Sequence, residues 1–227
     1  MQKVIFVASD FHYGENQTEV IVPFLKLLEM ARECNASLFL NGDLFNYWFE
    51  SKGRVPFSCE PLINGLKIAI DNGLQVTVLR GNRDFLMGDE FIKKTGALLV
   101  CEDQLVLKDL NVIITHGDQF DKSLKYRIYR KLIRSSFIRF MTNKVSVAFL
   151  MRIINYLKKN KSSSLKYLND LPDKVKCPDN FRVVLGHYHQ EYIRKLDNGW
   201  VLFCPAFDMS PKVLKITQNE FEFLKVI

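Results

Sequence analysis

Short apolar runs and amphipathic stretches alternate along the first half of the chain. Residues 3–8 contain an apolar run that leads into polar Ser9-Asp10, which is typical of a buried strand, and residues 37–40 and 75–79 are predicted to be the next two strands. Residues 19–34 and 61–71 carry apolar side chains at helical spacing and are predicted to be helices. Because strands and helices alternate in this way in right-handed parallel crossover units, the pattern predicts an α/β fold.

The second half of the chain predicts further strands and a helical insertion. A short helix is predicted over 88–95, and a hairpin is expected around Lys108-Asp109-Leu110. The strands predicted from here onward cover 97–101, 105–107, 111–115, 181–185, 192–196, 201–204, 212–217 and 221–226. The predicted domain organisation is a core formed by 1–119 and 171–227, with a helical insertion over 120–170.

Side chains that can bind metal ions follow several of the predicted strands. Residues two apart on an extended segment project from the same side, so that both can reach one cavity. Ligands of open α/β sheets bind at the carboxyl ends of the strands. All four histidines of the chain belong to this set, which comprises Asp-x-His at 10–12, Gly-Asp at 42–43, Gly-Asn-Arg-Asp at 81–84, His-Gly-Asp at 116–118 and His-x-His at 187–189.

These residue types favour a centre for two divalent metal ions. Carboxylate and amide oxygens together with imidazole nitrogens suit Mn²⁺, with Fe²⁺ or Zn²⁺ as alternatives, whereas a structural zinc would more often use thiolates. Asp43 is expected to bridge the two ions. In the alternative interpretation, the histidines are only hydrogen-bonded beneath surface loops. That would not explain why acidic and amide residues recur beside them at equivalent positions. The predicted ligands are Asp10, His12 and His189 for one ion, and Asn82, His116 and His187 for the other.

The motifs resemble those of the calcineurin-like metallophosphoesterases. Within that superfamily, the chain is most similar to the UDP-2,3-diacylglucosamine pyrophosphohydrolases of lipid A biosynthesis. The similarity covers nearly the whole chain and includes Gly42-Asp43-Leu44-Phe45 with Trp48, Gly81-Asn82-Arg83-Asp84-Phe85-Leu86 and the insertion after His116. It implies a metallophosphoesterase αββα sandwich with a helical lid insertion. It also implies substrate contacts from Asn82, Arg83, Tyr126, Arg130 and Lys166.

Arg83 restricts the kind of phosphoester that the site is expected to cleave. Many members of the superfamily have histidine at this position. Histidine can protonate a departing alkoxide, but arginine does not deprotonate in proteins and cannot act as that proton donor. It can hold phosphate oxygens and stabilise developing charge. A phosphate monoester departs without such help, so cleavage of a pyrophosphate fits better than hydrolysis of an alkyl phosphate. The predicted catalytic residues are Asp43, Asn82 and Arg83; in the alternative, Arg83 only pairs with Asp84 on a loop.

The positive charge of the chain is concentrated in the predicted insertion. The net charge of the 227 residues is +7, yet thirteen Lys and Arg and no Asp or Glu lie between Lys122 and Asn169, which leaves 19 basic against 25 acidic residues elsewhere. A solvated face is the ordinary explanation of such a block. In a helical projection, however, the segment 122–141 is amphipathic, and a basic amphipathic helix suits an anionic membrane surface. The projected apolar stripe holds Tyr126, Tyr129, Leu132, Ile133, Phe137 and Phe140, and the opposite side holds Arg127, Arg130, Lys131 and Arg134.

The chain is therefore predicted to be a metal-dependent phosphohydrolase with a lid over acyl chains. The expected reaction cleaves UDP-2,3-diacylglucosamine to 2,3-diacylglucosamine 1-phosphate and UMP. Its partners would be the UDP-linked acylated sugar and the anionic inner-membrane surface, with no nucleic acid. The alternatives are a phosphodiesterase or pyrophosphatase for soluble nucleotides, a nuclease, and a non-catalytic scaffold. A nuclease is disfavoured because the basic block is rich in large apolar residues.

Cysteine usage and hydropathy predict a cytoplasmic protein that lies peripherally on the membrane. The five cysteines are scattered and include no C-x-x-C pair, which indicates reduced thiols. The longest apolar stretch, 145–157, contains Arg152 and is shorter than the roughly 20 residues that a membrane span needs.

Overall fold

Two sheets pack face to face in the core of the protein. The computed structural model describes residues 3–50, 53–121, 124–135, 140, 144 and 175–227. The first sheet has six strands in the order β11-β10-β1-β2-β3-β4. Strands β1 to β4 run parallel, whereas β10 is antiparallel to β1, and β11 is antiparallel to β10. These strands are β1 (Ile5–Ala8), β2 (Ser37–Asn41), β3 (Val76–Leu79), β4 (Leu98–Val100), β10 (Lys212–Ile216) and β11 (Phe221–Lys225).

The second sheet has five strands in the order β5-β6-β7-β9-β8. Its three central strands, β6, β7 and β9, run parallel, and the antiparallel strands β5 and β8 form its edges. The predicted hairpin between β5 and β6 is confirmed. The strands are β5 (Leu105–Leu107), β6 (Val112–Thr115), β7 (Phe181–Leu185), β8 (Tyr192–Leu196) and β9 (Gly199–Phe203).

The alternation of side chains along each strand assigns its residues to different layers. In β1, Ile5 and Val7 face the second sheet and pack in one cluster with Val112 and Ile114. Phe6 and Ala8 face the opposite way, toward the helices. These helices are α1 (Ile21–Glu33), α2 (Glu60–Asp71) and α3 (Asp89–Thr95). The predicted α/β architecture with two sheets is thus confirmed.

The helix that begins the predicted insertion, α4 (Leu124–Ile133), is oriented differently from the projection. The guanidinium groups of Arg130 and Arg134 pair with Asp118 and Asp103 of the core, whereas Leu132 is exposed. The prediction that Arg130 and Arg134 lie on the side opposite the packed stripe is therefore wrong. Arg130 and Arg134 follow Tyr126 by four and eight residues, so helical spacing places all three on one face, and Asp118 and Asp103 of the core meet that face.

Much of the predicted insertion lies outside the described residues. This includes Phe137, the stretch 145–157 and Lys166, as well as the side chain of Tyr129. Among the residues that the structure does describe, no helix combines the length and the apolar character needed to cross a bilayer.

Candidate metal centre

The predicted metal ligands converge at the carboxyl ends of the parallel strands of both sheets. Asp10 and His12 follow β1, Asp43 follows β2, and Asn82 follows β3. From the second sheet, His116 follows β6, and His187 and His189 follow β7. The backbone of the first ligand loop is hydrogen-bonded to the next, from Asp10 N to Gly42 O at 3.1 Å. The spatial grouping expected from the sequence is therefore present.

Five of these seven residues have a left-handed backbone conformation. The φ angles are 59° for Asp10, 47° for His12, 52° for Asp43, 66° for His187 and 57° for His189. This conformation is uncommon for residues other than glycine and turns the chain sharply. The loops after β1, β2 and β7 therefore bend immediately after their strands and direct these side chains into the space between the strand ends.

The first ligand group consists of Asp10, His12 and His189, whose ligand atoms lie within 4.8 Å of one another. Asp10 Oδ1 lies 3.3 Å from His189 Nε2 and 3.8 Å from His12 Nε2. Both Asp10 Oδ1 and His12 Nε2 are buried and have no hydrogen-bond partner among the described residues. Buried polar atoms rarely lack a hydrogen-bond partner. A cation between them would satisfy both, so this group fits a metal ion.

Asp43 lies between the first group and a second one. Its Oδ2 is 3.5 Å from His12 Nε2, and its Oδ1 is 3.6 Å from His116 Nε2. Asp10, Asp43 and His116 form a second set with ligand atoms within 4.8 Å of one another. Asp10 therefore reaches both groups, although the sequence had placed it at one ion only. Asp43 occupies the position that a bridging ligand requires.

Asn82 and His187 complete the side of the centre that contains His116. Asn82 Oδ1 lies 3.2 Å from His116 Nε2 and 2.9 Å from His187 Nδ1. His187 thus presents Nδ1, not Nε2, to this group. Carboxylate and amide oxygens with imidazole nitrogens form a donor set that suits borderline divalent ions.

The electrostatics of the centre favour cations. Burial would raise the pKa of the Asp10 carboxyl, but His189 and His116 outweigh it and lower that pKa to about 2. Burial is likewise outweighed at Asp43, whose pKa is lowered mainly by His116 and His12. His12 shows the opposite balance, because burial lowers its pKa but Asp208 and Asp43 raise it to about 9. In the metal-free protein, a proton on His12 thus offsets part of the charge that a bound cation would neutralise.

Arg83 borders the centre beside Asp43. Its Nε lies 3.2 Å from Asp43 Oδ2, and its Nη1 donates a hydrogen bond to Asn46 Oδ1 at 2.8 Å. Asp84 accepts hydrogen bonds instead from the backbone N–H groups of Gly81 and Leu44, at 2.7 and 2.6 Å. The alternative in which Arg83 only pairs with Asp84 is therefore wrong. The side chain of Arg83 remains 22% exposed and can reach a substrate.

The three predicted lid contacts have different surroundings. The ring of Tyr126 faces that of His187, with centroids 6.1 Å apart, and its hydroxyl donates to Asp118 at 2.9 Å. Tyr126 is thus at the rim of the centre. Arg130 donates from Nε to Asp118 at 2.8 Å and from Nη2 to Asp103 at 2.7 Å. Its guanidinium is therefore engaged mainly with the core. Lys166 lies outside the described residues.

Two acidic residues support the site without having been assigned to it from the sequence. Asp208 Oδ2 lies 2.9 Å from His12 Nδ1, which leaves Nε2 of that ring directed into the centre. Asp118 connects Tyr126 and Arg130 of α4 to the core. Asp118 could have been identified from the sequence, because it belongs to the His-Gly-Asp motif. Asp208 is 196 residues from its partner, and no local motif identifies it.

Comparison with known proteins gives relatives over most of the chain. A Pseudomonas fluorescens protein named UDP-2,3-diacylglucosamine hydrolase is 28% identical over 207 residues, covering 86% of this chain and 83% of that protein. A Haemophilus influenzae protein of the same name is 28% identical over 234 residues, covering 97% and 98%. No family model matches the chain.

Comparison with solved structures gives further matches. A putative 5′-nucleotidase from Staphylococcus aureus has a TM-score of 0.50 at 12% sequence identity, covering 100% of this chain and 55% of that one. A phosphoesterase from E. coli has a TM-score of 0.49 at 14% identity, covering 99% of this chain and 100% of that one. The chain is thus homologous to the UDP-2,3-diacylglucosamine hydrolases and has the fold of the calcineurin-like metallophosphoesterases.

Proposed function

We propose that the protein is a metal-dependent hydrolase that cleaves the pyrophosphate of UDP-2,3-diacylglucosamine, a step of lipid A biosynthesis. The products would be 2,3-diacylglucosamine 1-phosphate and UMP. The observation that carries the proposal is the position of buried Asp43 between two ligand groups, with Arg83 beside it. The names of the homologous proteins support the choice of substrate.

The seven ligands would hold two divalent ions, with Mn²⁺ as the proposed metal and Fe²⁺ or Zn²⁺ as alternatives. Bound ions of this kind lower the pKa of water and polarise phosphoryl oxygens. The protein contributes the arrangement of the ligands. Burial of Asp10 and Asp43 excludes bulk water, and Asp208 orients His12. A ligand that is held by a second group in this way binds metal more tightly than a free one.

Arg83 would bind the phosphoryl group that is attacked. It is always protonated, so it stabilises negative charge there but cannot give a proton to the leaving group. Within the described chain, all four histidines belong to the ligand groups. A leaving group that needs no proton, such as the acylated sugar phosphate or UMP, therefore suits this site better than an alkoxide.

The residues over 120–170 would form a lid that selects the acylated sugar and docks on the anionic inner-membrane surface. Tyr126 at the rim of the centre supports a substrate contact there, and Arg130 and Lys166 are the other proposed contacts. Leu124, Ile128 and Leu132 are exposed at successive turns of α4. Arg127 and Lys131, also exposed, supply positive charge beside them. Such a surface suits anionic headgroups.

The reaction is tested by assaying the metal-loaded protein with UDP-2,3-diacylglucosamine and with UDP-sugars that lack acyl chains. We expect hydrolysis of the acylated substrate to UMP, and much slower hydrolysis of the others. Equal rates would point to a phosphodiesterase or pyrophosphatase for soluble nucleotides. Asp43→Ala should abolish turnover and metal loading, and retained hydrolysis in this variant would refute the two-metal proposal.

Membrane docking is tested separately with vesicles containing anionic lipid. Reversing charge at Arg127 and Lys131 should weaken sedimentation with these vesicles, whereas reversal at Lys67 and Lys94, far from α4 in sequence, serves as the control. Unchanged binding of the α4 variant would remove the support for a membrane-docking lid.

A further inference from the structure

A closed ring of polar contacts runs behind Arg83 and His12. It joins six side chains that come from four separate loops. Four of its contacts are hydrogen bonds: Arg83 Nη1 to Asn46 Oδ1 at 2.8 Å, Asn46 Nδ2 to Gln17 Oε1 at 3.2 Å, Gln17 Nε2 to Asp208 Oδ2 at 2.9 Å, and His12 Nδ1 to the same Asp208 oxygen at 2.9 Å. Asp43 Oδ2 closes the ring, 3.2 Å from Arg83 Nε and 3.5 Å from His12 Nε2.

The donor and acceptor roles in this ring follow from one another. Arg83 can only donate, so Asn46 must direct its carbonyl oxygen toward Arg83 and its amide group toward Gln17. Gln17 must then accept through its oxygen and donate through its nitrogen. An ionised Asp208 can accept from both Gln17 and the Nδ1–H of His12. Each amide therefore has one orientation that satisfies all its neighbours.

The ring also determines which part of Arg83 is left for a substrate. The Nε–H group is directed at Asp43 and one Nη1–H at Asn46, which leaves Nη2 and the second Nη1–H. Without the contact to Asn46, the guanidinium could turn and pair with the Asp43 carboxylate through two parallel hydrogen bonds. That pairing would take up carboxylate lone pairs that lie between the two ligand groups. Asn46 opposes it.

We propose that Asn46, supported by Gln17, is a positioning residue that orients Arg83 toward the phosphoryl group and away from bidentate pairing with Asp43. This inference rests on the proposed function only for the identity of the substrate. The contact itself would serve any phosphoester that binds between Arg83 and the ligand groups.

The test is a double-mutant cycle between Asn46→Ala and Arg83→Ala on the metal-loaded protein. Asn46→Ala alone should lower kcat by about 10- to 100-fold, as a misplaced catalytic contact does, and change KM by less than about 3-fold. In the Arg83→Ala background, the same substitution should have little further effect. Asn46→Asp keeps an acceptor for Arg83 and should recover part of kcat. Asn72→Ala, an exposed Asn at the end of α2, is the matched control.

Equal losses from Asn46→Ala with and without Arg83 would overturn the proposal, because the two residues would then act independently. A second readout needs no turnover: in ¹H–¹⁵N NMR spectra of the protein loaded with diamagnetic Zn²⁺, the Nε–H resonance of Arg83 should shift in Asn46→Ala but not in Asn72→Ala. An unchanged resonance would also overturn it. Assays with bis(p-nitrophenyl) phosphate beside UDP-2,3-diacylglucosamine separate the two proposals. If the unsubstituted protein hydrolyses bis(p-nitrophenyl) phosphate but not UDP-2,3-diacylglucosamine, the proposed substrate is contradicted. The double-mutant cycle is then measured with bis(p-nitrophenyl) phosphate.

Discussion

Gly81 lies so close to Asp43 that a Cβ atom at position 81 would collide with both the backbone nitrogen and the carboxylate of Asp43. The backbone of the loop after β3 is thus packed directly against the residue between the two ligand groups. Any side chain at position 81 must displace Asp43, Asn82 or both.

Gly81→Ala is therefore expected to lower kcat/KM by about 100-fold or more, because a shift of about 1 Å at a reacting centre has an effect of that size. Metal content after purification should fall as well. Gly73→Ala is the control, since Gly73 has a positive φ of 92° but a Cβ at position 73 would meet nothing within 4 Å. It should cost about 1 kcal/mol of stability and leave kcat unchanged. Normal activity in Gly81→Ala would show that the loop can move without consequence.

Arg130→Met is expected to release α4 from the core. Arg130 pairs with Asp118, whose side chain is 3% exposed, so its loss leaves a buried carboxylate without its ion-pair partner at 2.8 Å, and Arg134 at 3.6 Å compensates it less well. Breaking such a pair costs up to about 3 kcal/mol. Hydrogen exchange over 124–133 should accelerate. Arg127→Met removes an exposed cation from the same helix and should leave exchange there unchanged; equal acceleration in both variants would contradict the anchoring role.

Glu50 is expected to stabilise the start of α3. Its Oε1 accepts hydrogen bonds from the backbone N–H groups of Gly88 and Phe91 at 2.7 and 3.1 Å, and its Oε2 accepts from Glu90 at 3.1 Å. Glu50 thus acts as an N-cap from a distant loop. Glu50→Ala should lower the free energy of unfolding by about 1 kcal/mol, measured in urea. Glu29→Ala, at an exposed position of α1, should change it by less than about 0.5 kcal/mol.

Stability of the metal-free protein is expected to fall between about pH 6.5 and 9. The pKa of His12 rises from 6.5 to about 9 on folding, chiefly through Asp208 and Asp43 against the opposing effect of burial. A group with a raised pKa contributes its full stabilisation below the unfolded value and loses it as the pH rises through the folded value. Urea unfolding in the presence of a chelator should show this fall, and Asp208→Asn should reduce it.

The same proton should compete with metal binding. At pH 7, an ion must displace it from His12, so Mn²⁺ binding should release protons, and the affinity should rise by up to about tenfold per pH unit for each proton displaced. Calorimetry in buffers of different ionisation enthalpy measures this release. A pH-independent affinity between pH 6 and 9 would show that His12 is already neutral or is not a ligand.

The strands and the ligand loops could be predicted because both depend on local order in the sequence. Residues 76–79, for example, contain three apolar side chains before the chain reaches Arg80-Gly81-Asn82, and the structure ends β3 at Leu79. Parallel strands bring such endings to one edge, so the grouping of Asp10, Asp43 and Asn82 after β1, β2 and β3 followed from the order of the elements.

The partners of α4 could not be predicted in the same way. Helical spacing places Arg130 and Arg134 on the same face as Tyr126, but it does not show that the core meets this face with Asp103 and Asp118. Which carboxylates meet a helix depends on the tertiary fold. For the same reason, Gln17, Asn46 and Asp208 carried no signal: they are connected through hydrogen bonds between loops that are far apart in sequence.

The left-handed backbone at five ligand positions has a consequence for engineering. Each such residue costs about 1 kcal/mol or more relative to glycine, which adopts this conformation freely. Asp10 and Asp43 also hold their neighbours in place, because their carboxylates accept hydrogen bonds from the backbone N–H groups of His187 and Arg83. Glycine at these two places should therefore give an inert protein whose melting temperature does not rise, because the relief of backbone strain is offset by the lost hydrogen bonds and the lost attraction to neighbouring histidines. The strained backbone is thus inseparable from the ligands that it carries, and a redesign that removes the strain also removes the metal centre.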